Sequence, residues 1–496
     1  MLELAFQPDR SSREPLYQQL ERFLRALIQA RRLAPGERLP PSRELARSLS
    51  LSRNTVNQAY QRLLEDGLLR AHVGQGTYVA GRPGPAPAPG EAPPRAFAWE
   101  GLLARRTRAL VLPDVPAMPA GIRFDFRGGR VDLDSLPVGE LRRALASAAS
   151  RARSLADEVD PRGWLPLRRA LSRSLVARGI AATPDQVMVT HGAQQGLDLV
   201  ARTLVDAGDT VALEQPGYFG AALAFSAAEA HLVGIGVDGD GLRTDELARV
   251  LRARRTKLVY TTPAAQQPTG VSLSEARRHA LLALAEEYQL PIVEDDYDGE
   301  LRYGGPPVPA LKNLDRAGRV VYLGTFSKAV FAGLRLGYLV APPPLLGRLA
   351  LSRLAADFSP DVLVQAAVCE MLESGGLERH VRRVRRLYAP RRDALLRELA
   401  EQMPEGTRVT PPAGGNALWL RLPDAASADV FHAGCVDAGI ALSPGDVMAL
   451  PGGAAAAEAR RHVQLSFARI PEDRMAEAVG ELARVARRSC DARRVA

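Results

Sequence analysis

The sequence predicts two domains of different class: a small, mostly helical head with a β-hairpin, and a large α/β body built on a mostly parallel sheet. Three observations predict this. Residues 81–94, GRPGPAPAPGEAPP, are almost wholly Pro, Gly and Ala, a composition that buries no core and reads as an extended spacer. Before it, helical patterns joined by a tight turn are followed by two paired strands. After it, short apolar runs alternate with longer helical segments, the rhythm of strands covered by helices. The expected boundaries are 10–80 for the head, 81–121 for the linker and 122–490 for the body.

Composition narrows the function classes. Hydrophobic residues at 46% and charged residues at 24% are ordinary for a globular chain of 496 residues. No apolar run approaches the roughly 20 residues that span a bilayer, and MLELAFQPDRSSREP lacks the basic then apolar order of a signal peptide. Cys369, Cys435 and Cys490 are odd in number and far apart, so neither a metal site nor a disulfide framework is expected. A cytoplasmic location follows as the expectation. The net charge of +9 is uneven: residues 10–82 hold 13 Arg against 6 Asp and Glu. That local excess of +7 suggests an anionic partner for the head.

Within the head, PLYQQLERFLRALIQARRL places Leu16, Leu20, Phe23, Leu24, Leu27 and Ile28 at helical spacing. Ser42 is the expected N-cap of a short helix through Leu49, and Ser52 that of a second running to about Asp66. The intervening LSLS is a tight turn, so the pair reads as a helix-turn-helix. LLRAHVGQGTYVA then reads as two short strands meeting at Gly74-Gln75-Gly76, a wing hairpin. The segments LPPSRELA, SRNTVNQAY, LLEDGLL and GQGTYV resemble, in order and spacing, the winged helix-turn-helix of the GntR family over residues 14–80. The resemblance implies a double-stranded DNA operator as partner, with the second helix in the major groove and the wing tip at the minor groove. Carried over, Arg43, Ser52, Arg53, Asn54, Thr55 and Asn57 face DNA, and Gly74 lets the wing backbone approach it. Arg43 and Arg53 suit phosphate or guanine, while Asn54 and Thr55 reach base edges or phosphates.

In the body, QVMVTHG, TVALEQPG, KLVYTTP, PIVEDDYDGE and RVVYLGTFSK each read as a buried strand and its following turn. Ligands sit at the carboxyl ends of strands in such sheets, and the chemistry-bearing residues fall there. THGAQQ puts small residues and amides ahead of a helix beginning near Ala193, an N-terminus that favours a phosphate. Asp295 and Tyr297, two apart, share one face of a strand. A carboxylate there can keep a pyridine nitrogen protonated, and a phenol can bond a ring hydroxyl. Thr325 and Ser327 offer hydroxyls, and Arg335 a two-pronged cation, to the same phosphate. Tyr218, in EQPGYFG, can stack on a flat ring. Lys328 is one of three lysines in a chain with 62 arginines. An amine that sheds its proton can form a Schiff base, whereas a guanidinium cannot. Each motif alone has a blander alternative: EDDYD as a solvated strand end or a divalent-metal site, the Ser327–Lys328 pair as chance, PTG at 268–270 as a common turn.

Together, in this order and spacing, these motifs resemble the fold-type I pyridoxal-phosphate enzymes, the aspartate aminotransferase superfamily, from about Phe124 to Arg487. The resemblance implies pyridoxal 5'-phosphate as cofactor, with Lys328 as its Schiff-base lysine, Asp295 on the pyridine nitrogen and Tyr297 on the ring hydroxyl. It also implies Gly192, Ala193, Gln194, Thr325, Ser327 and Arg335 around the phosphate, and Tyr218 against the ring. A GntR-type head joined to such a body resembles the MocR/GabR family of bacterial transcription regulators. That likeness implies a head-to-tail homodimer whose DNA binding responds to a small-molecule amine effector, or to pyridoxal phosphate itself, through the Lys328 aldimine.

Four positions depart from the family pattern. Ala265 stands where many relatives show His, Gln267 where they show an aromatic, and Glu158 where they often carry a tyrosine. Gln464, in VQLSF, stands where aminotransferases carry the arginine that grips a substrate carboxylate. Arg461 and Arg469 differ from it by odd numbers and point to the other strand face, while Arg130 could serve from another direction. Gln464 is therefore the candidate effector-binding residue, and turnover of an ordinary α-amino acid is not expected. Two other readings stay open: an active aminotransferase with a DNA-binding appendage, and a DNA-binding protein whose body only dimerises.

Overall fold

The computed structural model describes residues 6, 8, 9, 14–30, 32–72, 76–80, 99–108, 110, 118–119, 121–303, 309–328, 330–412 and 414–495. The Pro-rich stretch 81–94 and Gly74 at the wing tip lie outside the described residues. The chain divides into two compact units, Met1–Leu102 and Leu103–Ala496.

The first unit contains α1 (Leu16–Gln29), α2 (Ser42–Ser48), α3 (Arg53–Glu65), β1 (Leu69–His72) and β2 (Gly76–Val79). Leu20 and Leu24, one turn apart on α1, meet Leu45 of α2 and the Val56, Ala59 and Leu63 stripe of α3 in one buried core. Leu69 and Val79, paired across the antiparallel β1–β2 hairpin, close that core from below. Each buried leucine contributes about 1.5–3 kcal/mol relative to exposure. Ser52 caps α3, its Oγ accepting from the Thr55 N–H at 3.0 Å. Ser42 does not cap α2; it is the first helical residue, and Pro41 occupies the cap position without a side-chain hydrogen bond. The Pro40-Pro41 pair holds the chain extended up to the helix, so α2 begins one residue before the point a serine cap would set.

In chain order the body's strands are β3 (Phe124–Asp125), β4 (Val187–Thr190), β5 (Thr210–Gln215), β6 (His231–Asp238), β7 (Gly241–Leu242), β8 (Thr256–Thr261), β9 (Ile292–Asp296) and β10 (Val320–Thr325). They continue with β11 (Gly337–Val340), β12 (Arg408–Thr410), β13 (Ala417–Arg421), β14 (Ile440–Ala441), β15 (Ser443–Pro444) and β16 (His462–Ser466). The main sheet has eight strands in the order β4-β11-β10-β9-β8-β5-β6-β7. All five strands expected from the sequence are in it, and β10, β9, β8, β5 and β6 run parallel. β11 is antiparallel to both neighbours. The connection 326–336 that returns the chain from β10 is too short for a helical crossover, so the strand must come back reversed.

Both faces of this sheet are covered. On β10, Tyr322 packs with Leu167 and Leu171 on one side, while Val321 and Leu323 pack with Leu197 and Val200 on the other. That alternation explains why the strands read as continuous apolar runs. A second, antiparallel sheet, β12-β13-β16-β15, builds the smaller subdomain around Phe431, Phe467, Leu418 and Leu465. β14 pairs in parallel with β3 beside it. Among the described residues no helix is long and apolar enough to cross a membrane.

Candidate functional site

Since β4, β5, β8, β9 and β10 point the same way, their carboxyl ends lie along one edge. Lys328 follows β10 there, half-buried, with its Nζ 5.9 Å from the centre of the Tyr297 ring. Burial pushes its amine below the ordinary lysine range; Asp298 and Asp295 work against that, and Arg130 adds to it. Gly129 leaves room for the amine, since a Cβ there would stand 3.0 Å from Nζ.

Asp295 lies on β9, 3% exposed, and the next residue, Asp296, faces the other way, where Arg178 donates to it at 2.7 Å. Tyr260, at the end of β8, donates its hydroxyl to Asp295 Oδ2 at 2.9 Å. Asp295 Oδ1 is buried with no hydrogen-bond partner. Burial pushes this carboxyl up to about 7, although the Tyr260 hydroxyl and the Lys328 amine favour its charged form. The equally buried Glu214 accepts from Thr261 Oγ1, Thr262 and Gln266 and anchors the turn that carries Gln267.

The expected phosphate cradle is assembled from three segments. Gly192, at φ +74°, opens a helix running to Leu204, with half-buried Ala193 and Gln194 in its first turn. Arg335, itself at φ +49°, donates to the His191 carbonyl at 3.0 Å. Its guanidinium lies 3.1–3.3 Å from where a Gly192 Cβ would sit, so the positive φ favours glycine there and a side chain would press on the guanidinium. Thr325 Oγ1 and Ser327 Oγ are 3.0 Å apart. Gln194 spends its side chain on protein partners, donating to Gly220 O at 2.8 Å and accepting from Tyr218 OH at 3.3 Å. The second of these bonds ties Tyr218 to the site, where burial pushes its hydroxyl up to about 12.

Two of the four departures bond one phenol, and a third bonds one of those two. Tyr297 donates to the Ala265 carbonyl at 2.9 Å and lies 3.1 Å from Gln267 Oε1. Gln464, 3% exposed, donates from Nε2 to the same Gln267 oxygen at 3.1 Å. Arg461 and Arg469 turn away, towards Asp424 at 3.0 Å and Asp125 at 3.1 Å. Arg130 is exposed, and its charge reaches Lys328. Glu158 is exposed on the segment after Leu155.

This donor set fits pyridoxal phosphate. Asp295 Oδ1 needs a proton donor that no protein group supplies, which a ring N–H meets. Lys328 is an amine facing it, Tyr218 is a held ring, and Thr325, Ser327 and Arg335 suit a phosphate. The largest cavity described, about 1130 Å³, lies elsewhere, between Arg173, Glu300 and Arg385, and touches none of the expected site residues.

In the head, Arg43, Ser52, Arg53, Asn54 and Asn57 are exposed and Thr55 is half-buried. Thr55 Oγ1 lies 2.8 Å from the Ser52 hydroxyl, so both belong to the cap as well as to the exposed helix start. Sequence reasoning missed Tyr260, Gln267's bonding role and Asp298. Their signal is which strands lie side by side, and that is absent from a single chain's local pattern.

Residues 129–482 match the family described as Aminotransferase class I and II, and residues 16–79 the family described as Bacterial regulatory proteins, gntR family. Over 441 residues the chain is 34% identical to a probable rhizopine catabolism regulatory protein MocR of Rhizobium meliloti, covering 88% of this chain and 87% of that one. It is 32% identical over 480 residues to the HTH-type transcriptional regulator TauR of Rhodobacter capsulatus, covering 95% and 96%. A multiple substrate aminotransferase from Thermococcus profundus matches 80% of this chain and 100% of its own, at TM-score 0.72 and 30% identity. An alpha-aminoadipate aminotransferase from Thermus thermophilus, crystallised with N-(5'-phosphopyridoxyl)-L-leucine, matches with the same coverage, TM-score 0.72 and 30% identity.

Proposed function

The chain belongs to the MocR-type transcriptional regulators, a GntR head joined to a class I and II aminotransferase domain, and we propose that it binds a DNA operator and changes that binding when an amine effector reaches pyridoxal phosphate held at Lys328. The observation that carries this reading is Asp295 Oδ1, a buried carboxylate oxygen without a partner beside a lysine whose amine is pushed towards neutrality.

When bound, pyridoxal phosphate supplies an aldehyde that condenses with amines and an electron-withdrawing ring. Asp295 would hold the proton on the ring nitrogen, and Tyr260 fixes the orientation of that carboxylate. Tyr218 would lie against the ring. The N–H groups at Gly192, Ala193 and Gln194, with Thr325, Ser327 and Arg335, would hold the phosphate at a helix N-terminus. Tyr297, engaged with Ala265 and Gln267, is positioned by those bonds for the ring hydroxyl.

Gln464 sets the effector class. A neutral amide can hydrogen-bond a carboxylate but cannot neutralise it, and an unpaired carboxylate in a desolvated pocket is expensive. The effector is then an amine without a carboxylate at the usual α position, or pyridoxal phosphate itself. Head-to-tail pairing of two copies completes the proposal. The second reading, an active aminotransferase with a DNA-binding appendage, draws on the 30% identical aminotransferase structures, and the neutral Gln464 weighs against it.

The test is operator binding by the full chain, with and without candidate amines, in the parent and in Lys328→Ala. Effector-dependent operator affinity in the parent that vanishes in Lys328→Ala supports the proposal. Sustained turnover of an amino acid with operator affinity indifferent to it supports the enzyme reading instead.

A further inference from the structure

Asp298, just past β9, is 6% exposed, and its Oδ1 is buried with no hydrogen-bond partner. Two small cavities flank Lys328, of about 20 Å³ and about 10 Å³, and Asp298 lines both. Gln267, Gln464, Asn416 and Tyr297 add polar side chains to the lining of the smaller one. Cavities of this size hold about one water, which needs two to four polar partners, and the amine, the carboxylate and these amides provide them.

The charges around the pair are few. Asp298 and Asp295 favour the charged amine of Lys328, and Arg130 opposes it. Lys328 and Asp296 act on Asp298 in opposite senses. The phenols of Tyr297, Tyr303 and Tyr388 also feel the Asp298 charge. Asp295 already has Tyr260 and, by the reading above, a ring nitrogen to serve, which leaves Asp298 as the uncommitted acid facing the amine. Burial draws the two groups together, pushing the carboxyl up to about 6 and the amine down. Proton transfer between groups of nearer affinity meets a smaller barrier.

The geometry points to Asp298 as the proton partner of Lys328, a positioning residue that steadies the ammonium through one water and receives its proton when the amine must react. One proton moves from the ammonium through the water to the carboxylate, leaving a neutral amine and a carboxylic acid, with total charge unchanged. The inference rests on Lys328 being the reactive amine, and its test needs no cofactor.

Because the chain has only three lysines, each can be followed separately. The cofactor-free full-length protein is labelled with trace acetic anhydride across a range of pH, and acetylation of each lysine is read by mass spectrometry. Lys257, paired with Asp209 at 3.2 Å and placed near the start of β8, is the internal reference. In Asp298→Asn and in Asp298→Ser the Lys328 midpoint should move down by about one pH unit, the size expected for a nearby opposite charge. Asp298→Glu should keep it near the parent value, Arg130→Ala should move it up, and Lys257 should not move in any of them. A Lys328 midpoint unchanged in both uncharged variants overturns the partner role. A parent Lys328 midpoint no lower than that of Lys257 instead removes Lys328 as the reactive amine, and the proposed sensing with it.

Discussion

Gln464 and Gln267 meet amide to amide, Nε2 of the first 3.1 Å from Oε1 of the second, and the Tyr297 hydroxyl lies 3.1 Å from that same oxygen. Two departures from the family pattern are thus one local solution. A glutamine at 464 needs an amide partner, and Gln267 reaches it across 197 residues of chain. A Cβ on Gly128 would stand 2.1 Å from Gln464 Oε1, so the same amide leaves no room for a side chain there.

Gln464→Arg breaks this pair and puts a cation beside Tyr297. Amines that carry an α-carboxylate, alanine or glutamate for instance, should gain about tenfold or more in affinity, while carboxylate-free amines should not. Titrating the cofactor-loaded chain with both classes and following its visible absorption checks the ranking. The same preference order before and after the substitution would speak against a lost carboxylate clamp.

Arg53 stands exposed at the start of α3, outside the head's core. Arg53→Ala should weaken operator binding by about 1–3 kcal/mol and leave the cofactor's absorption unchanged. Ser52→Ala acts differently, because it removes the Thr55 N–H cap and should lower the head's stability by about 1 kcal/mol. Thermal melts beside operator titrations separate the two effects.

Lys328→Ala should fold normally, since it shortens one half-buried side chain and leaves the other site residues in place. Borohydride reduction of the cofactor-loaded parent should leave a pyridoxyl mass on the peptide containing Lys328, and none on any peptide of the variant. Attachment at Lys257 or Lys312 instead would reassign the reactive amine.

Asp295 gives a pH signature. Burial raises its carboxyl to about 7, so the folded chain keeps a proton that the unfolded chain loses near pH 4. Its contribution to stability is therefore present in full below about pH 4 and is lost as pH rises to about 7. The fall in Tm between these limits should be shallower in cofactor-free Asp295→Asn than in the parent. Adding pyridoxal phosphate should stabilise the parent most at the upper end, where the ionised carboxylate can pair with a protonated ring. Calorimetry at stepped pH tests both; parallel Tm curves would exclude Asp295 as the titrating group.

By itself the sequence determined the helices of the head, the five strands named from it and the placing of Lys328, Asp295, Tyr297 and Arg335 at their ends. Periods of two and 3.6, caps such as Ser52 and the turns after apolar runs are local, and local chemistry is written within a few residues. The start of α2 escaped it by one residue because Pro41, rather than a hydroxyl, sets the chain's entry. Tertiary structure alone decided that β11 lies between β4 and β10, that Tyr260 holds Asp295, and that Asp298 shares its cavities with Lys328. It also decided that Gln267 answers Gln464. Those contacts join segments far apart in the chain, and they form only once strand order along the sheet is chosen by burying both its faces.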